Sequence, residues 1–184
     1  MLALVCGGLV WWSFEVEAYK EGPFPNMTGG FGEPTCRHCH LDNKLNAPGG
    51  TLVVNGIPPR YTTGETYPIT ITLSREGMRR GGFEISSRFA SGSTKGKQAG
   101  EWRGLDQRMQ LIRSQIDPSL FFVQHNTVGS LAPARGTNAW TIQWVAPAAK
   151  TPVQFNIAGN ASNDDASALG DFIYTKAVRS EAAR

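Results

Sequence analysis

The chain has 184 residues, 18% of them charged and 40% hydrophobic, with a formal charge of +3. That is enough chain for one domain with a buried core, and the charge is too mild for a nucleic-acid-binding surface. Glycine (21) and proline (11) are abundant while long helix-forming runs are scarce, which disfavours a helical bundle and favours β-structure.

Residues 1–18 differ from the rest. An apolar run, Leu2-Ala3-Leu4-Val5-Cys6-Gly7-Gly8-Leu9-Val10-Trp11-Trp12, is followed by Val16-Glu17-Ala18, which puts small residues at the −3 and −1 positions of a cleavage site. No Lys or Arg precedes the run, and it is shorter than the ~20 residues that span a bilayer. The segment is expected to be a signal peptide or an N-terminal anchor, placing the protein in the periplasm or outside the cell, with membrane association through that segment as the variant. Cys6 would leave with a cleaved leader, so Cys36 and Cys39 would be the remaining thiols.

Residues 19–50 are rich in Gly, Pro and Asn and read as an extended arm. Within it lies the most specific signal of the chain, Cys36-Arg37-His38-Cys39-His40. Two cysteines separated by two residues and followed at once by histidine is the attachment signature of a c-type haem. Each thiol adds to one porphyrin vinyl, and a neutral imidazole at the next position is a standard proximal ligand. A disulfide is the plain alternative. Zinc would need four ligands, and besides Cys36, Cys39 and His40 only His38 and His125 remain. A thioredoxin-like motif would need a strand-to-helix setting, which this loop lacks. His38, between the attachment points, is expected to face solvent.

Beyond Gly50 strand signals recur. Residues 51–57 are β-branched, and 67–73 alternate, with Tyr67, Ile69, Ile71 and Leu73 on one face. Residues 82–90 place Phe83, Ile85, Ser87 and Phe89 together. Residues 92–104 read as a solvated loop in which Trp102 could serve a partner surface, and 107–113 as a strand or one short helix. Residues 120–125, 139–145, 152–157 and 172–178 complete the set. Seven or eight short strands with glycine- and proline-rich turns predict a β-sandwich over residues 51–178. Residues 179–184 read as a frayed tail.

His125 ends the apolar stretch Phe121-Phe122-Val123-Gln124, where a strand could hold it beside a haem, so it is the expected distal ligand. Met27, Met78 and Met109 are sulfur alternatives, with Met27 on a mobile arm. A vacant sixth position is the other alternative, and Arg113, Arg135 and His125 could then be arranged for peroxide chemistry. Without haem, His125 would be a hydrogen-bonded structural residue. Asn160, Asn163, Asp164, Asp165 and Asp171 could offer oxygens to Ca²⁺, but their spacing is not an EF-hand and such residues commonly cap turns.

The order of Tyr61-Thr62-Thr63-Gly64-Glu65-Thr66-Tyr67, Gly81-Gly82-Phe83-Glu84-Ile85, Trp140-Thr141-Ile142-Gln143-Trp144-Val145-Ala146-Pro147 and Val153-Gln154-Phe155 resembles that of Reeler domains, which are extracellular immunoglobulin-like sandwiches. It is closer still to the bacterial branch labelled choice-of-anchor V, with Cys-x-x-Cys-His before the first strand, a His-bearing strand, and an Asn/Asp-rich stretch like residues 159–165. The resemblance covers roughly residues 35–178. It implies an all-β, Reeler-like antiparallel sandwich with an N-terminal haem-binding loop, and an exported location.

The expectation is therefore a non-enzymatic, exported monohaem c-type cytochrome in electron transfer. One covalent haem c would be held by Cys36 and Cys39, with His40 and His125 on the iron. The partner would be a redox protein, either free or as a fellow subunit of a membrane-associated complex. The alternatives are an extracellular adhesion module with structural or no haem, and a haem sensor or weak peroxidase.

Overall fold

A computed structural model describes residues 19–184; the expected leader lies outside them. Among the described residues, ten strands form two sheets. The four-stranded sheet has the order β1 (Gly50–Asn55), β3 (Thr66–Arg75), β8 (Thr137–Val145), β5 (Glu101–Arg103). The six-stranded sheet has the order β2 (Arg60–Tyr61), β10 (Phe172–Ala182), β9 (Val153–Ser162), β4 (Arg80–Phe89), β7 (Phe121–His125), β6 (Met109–Arg113). Every ladder is antiparallel except the short β2–β10 pair, which is parallel through Arg60 and Tyr61. The chain is an all-β sandwich.

Period-2 alternation builds the core. Ile69, Ile71 and Leu73 of β3 and Trp140, Ile142 and Trp144 of β8 point inwards from one sheet. Phe83 and Ile85 of β4, Val123 of β7, and Phe155 and Ile157 of β9 answer from the other. Each such fully buried side chain contributes roughly 1.5–3 kcal/mol. Two of the three buried indoles are satisfied, Trp140 Nε1 donating to Gly129 O and Trp144 Nε1 to Ala99 O, each at 3.0 Å, while Trp102 Nε1 has no partner among the described residues.

Several expectations need correction. The end of the chain is not frayed: β10 pairs with β9 as far as Ser180, and Glu181 N and Ala183 N donate to Pro59 O and Tyr61 O at 3.0 and 2.8 Å. A basic, alanine-rich composition looked tail-like, but backbone pairing does not depend on side-chain type. Trp102 is not a partner surface; it lies in β5 at 7% exposure, with its ring against Phe155. Of the two readings open for residues 107–113, the strand is the one that forms, as β6. Residues 159–162, grouped with an Asn/Asp-rich connection in the sequence, continue β9.

The outer face of β4 is where sandwich and arm meet. Glu84, Ser86 and Arg88 alternate with the core residues and would face water in a bare sandwich, yet all three are buried. The arm covers them. Glu84 Oε1 and Oε2 accept from Asn26 N (3.1 Å) and Met27 N (2.7 Å). Arg88 pairs with Glu33, which also accepts from Asn26 Nδ2 (2.8 Å) and Thr28 Oγ1 (2.6 Å). The arm carrying Met27 is thus fastened to the sheet, contrary to the mobile arm expected.

Candidate haem-attachment cleft

The stretch from Cys36 to His40 is wound tightly. Thr35 Oγ1 accepts from Arg37 N at 3.2 Å, opening a 3-10 turn over Cys36–His38. Cys39 N and His40 N both donate to Cys36 O, at 3.2 and 3.1 Å. At three residues per turn, positions i and i+3 eclipse. Cys36 and Cys39 therefore share a side and line one cleft, while Arg37 and His38 are exposed. The Arg37 guanidinium caps Asn43 O and Leu41 O, and the loop beyond is stitched to the sandwich by Gly170 N to Asp42 Oδ2 (2.7 Å) and Asn43 Nδ2 to Asp171 O (2.9 Å).

Four expected site residues, Cys36, Cys39, His40 and His125, line this same cleft. Its walls include Pro23, Phe24, Met27 and Phe83, with Tyr19 and Phe24 edge-to-face at 5.3 Å on the exposed side. The enclosed space is about 90 Å³, and all empty space including the open mouth is about 870 Å³. A pocket that engulfs a cofactor has ~300–1,000 Å³, so a porphyrin-sized group would occupy the open part. Met78 and Met109 are buried in the sandwich core, leaving Met27 as the expected methionine that reaches the cleft. Arg113 stacks on Phe121 and, like Arg135, does not line the cleft, so the three-residue peroxidase arrangement is not assembled.

His125 ends β7, and the next residues turn away in a single helical turn, α1 (Thr127–Ser130), capped by Asn126 Oδ1 accepting from Gly129 N at 3.0 Å. The β4–β7 ladder stops at Glu84–Gln124. Beyond it the imidazole takes over: His125 Nδ1 lies 3.0 Å from Phe83 N and 3.2 Å from Phe83 O. The ring lies against Gly82, where a Cβ would stand 2.8 Å from Nε2. Burial lowers the His125 pKa to about 4, opposed by the Phe83 contact. The ring is thus neutral at physiological pH, the form a metal takes.

His40 sits in a different setting. Its Nδ1 is 2.9 Å from Oδ2 of the fully buried Asp171, off the line of a straight hydrogen bond. Asn160 Nδ2 is 3.2 Å from His40 Nε2 and 3.1 Å from the same Asp171 Oδ2. Asp171 and Asn160, grouped as calcium oxygens in the sequence, are thus turned towards the histidine. Among the described residues, no group of three or more His, Cys, Asp or Glu is placed to hold a metal ion.

Burial, with Glu84 as the next cause, pushes the Cys36 thiol up to about 12. A thiol held protonated is a poor nucleophile at neutral pH, so Cys36 is not the acidic cysteine that thioredoxin-like exchange uses.

Sequence reasoning missed Arg80, which lines the cleft, pairs with Asp164 and donates to Ser130 Oγ at 2.9 Å. It also missed the roles of Gly82, Asn160 and Asp171. Gly81-Gly82 at the start of a strand was the available signal, since glycine there marks close approach by another group.

No protein-family profile matches the chain, and no curated protein matches it. Solved structures of similar fold exist. The human F-spondin reeler domain aligns over 75% of this chain and 93% of its own, at 20% identity and a TM-score of 0.47. The Reelin-N domain of F-spondin aligns over 79% and 96%, at 18% identity and 0.48. A cohesin module from a Clostridium perfringens family 33 glycoside hydrolase aligns over 73% and 96%, at 8% identity and 0.42. Each is a likeness of fold alone.

Proposed function

We propose that this protein is an exported monohaem c-type cytochrome that passes single electrons to and from a protein partner. One observation carries the reading: Cys36, Cys39 and His40 line the same cleft as His125, a residue far along the chain on another element. A covalently held haem would supply a one-electron iron couple there.

The chain's own groups suit that cargo. Eclipsed on a 3-10 turn, Cys36 and Cys39 offer two thiols from one side. Asp171 and Asn160 leave His40 Nε2 as the bare nitrogen, although an iron there would displace the Asn160 amide. A neutral His125 at the end of β7 is a second imidazole held in place. Phe24, Met27 and Phe83 give the cleft an apolar wall, and Arg80 and Lys20 bring positive charge for the carboxylates of such a group. Two imidazoles would close the iron to substrates, which suits electron transfer more than catalysis.

The test is the reduced absorption spectrum of the full chain, purified from a host that matures c-type cytochromes. A covalent haem band that carbon monoxide does not move, but that becomes CO-sensitive in His125→Ala, is the expected result. No band in the wild type would overturn the reading. A spectrum untouched by His125→Ala would remove His125 as a ligand.

A further inference from the structure

Asp171 is a carboxylate the sequence assigned only to turn capping or calcium. It immediately precedes β10, is 1% exposed, and has its Oδ2 at 2.9 Å from His40 Nδ1. Its other oxygen accepts from Asn163 N at 3.2 Å. Asn160 Nδ2, at 3.1 Å from Oδ2, is the remaining side-chain donor to this carboxylate.

These contacts determine the His40 tautomer. The Asn160 amide must turn its NH₂ towards Asp171, because the flipped amide would set oxygen against oxygen. The same NH₂ then faces His40 Nε2 at 3.2 Å, so Nε2 must be the nitrogen without a proton. Nδ1 therefore carries the hydrogen, and Asp171 Oδ2 lies 2.9 Å from that nitrogen, beside rather than on the line of the N–H. Bare Nε2 is what a metal requires, and a carboxylate beside the opposite nitrogen fixes the tautomer and orients the ring.

We propose that Asp171 is the positioning residue of the haem iron's proximal ligand. It fixes the His40 tautomer and gives the ring partial imidazolate character, which lowers the midpoint potential by favouring the ferric state. The inference rests on the haem reading above. Asn160 moderates the effect by competing for the same carboxylate oxygen.

The experiment uses the haem-loaded full chain, with two readouts. One is the midpoint potential. The other is the iron–histidine stretching band of the ferrous form in a His125→Ala background, which reports the strength of the proximal bond. Asp171→Asn should raise the potential and lower the stretching frequency, and Asp171→Glu should restore part of both. Asp165→Asn loosens the same loop, where Asp165 caps Ser167 N at 2.9 Å without touching His40, and should move neither. Should Asp171→Asn fail to mature, Asn160→Leu carries the test with the opposite sign, frequency up and potential down.

A normal haem spectrum with both readouts unchanged in Asp171→Asn, or equal shifts in Asp165→Asn, would overturn the role of Asp171 and leave the cytochrome reading standing. Absence of haem in the wild type would overturn both.

Discussion

His125 is held by backbone, and that makes its neighbour Gly82 sensitive. The imidazole occupies the space a Cβ would take, so Gly82→Ala must push the ring or the strand aside. Overpacking of this kind costs typically ~1–3 kcal/mol. The expected result is a lower urea midpoint with an unchanged denaturant slope, and a midpoint equal to wild type would contradict the packing described. Glu84 gives a pH-dependent prediction. Burial, the largest cause, raises its carboxyl from 4.5 to about 8, against the Met27 N–H that lowers it. The fold thus prefers the protonated form. Its stabilising contribution is fully present below the unfolded value of 4.5 and is lost as pH rises through about 8. Urea midpoints should fall across that window, with a slope of at most ~1.4 kcal/mol per pH unit from this group. In Glu84→Gln that decline should be flattened; an identical decline would assign it elsewhere.

At the scale of elements, two segments do more than their composition suggests. The arm from Asn26 to Glu33 replaces solvent over the outer face of β4, and its backbone N–H groups satisfy a carboxylate that would otherwise be buried without donors. The end of β10 closes the sandwich against β2. Truncation after Val178 would remove the donors Glu181 N and Ala183 N, together with Ser180 Oγ, which donates to Pro58 O at 2.7 Å. At about 1 kcal/mol per hydrogen bond, the loss is on the order of 3 kcal/mol. Thermal denaturation of the truncated chain should show a clearly lower midpoint, whereas a frayed tail would leave it unmoved.

For the whole molecule, the candidate cleft lies where the arm, the 3-10 turn, β4, β7 and β9 converge. A covalent group spanning it would tie the arm to the sandwich. Ligation by His40 and His125 in the native state alone would add stability by mass action. The haem-loaded protein should therefore melt above the Cys36→Ser/Cys39→Ser double variant, and His125→Ala should remove part of that gain while the haem stays attached. Equal melting of the haem-loaded protein and the double variant would argue against ligation across the cleft.

Much of this architecture is visible in the linear chain. Alternation of β-branched and aromatic residues marks strands such as β3 and β8, because a half-buried pleat imposes a period of two on its own residues. Cys-x-x-Cys-His is equally local, since its spacing alone decides which side chains share a face of the turn. The tertiary structure decides what depends on distant segments meeting. Only the covering arm makes the outward face of β4 a buried one, and only sheet pairing turns residues 179–182 into strand. The placing of Asp171 on His40, and of His125 in the same cleft, likewise comes from packing between strands whose separation along the chain carries no pattern.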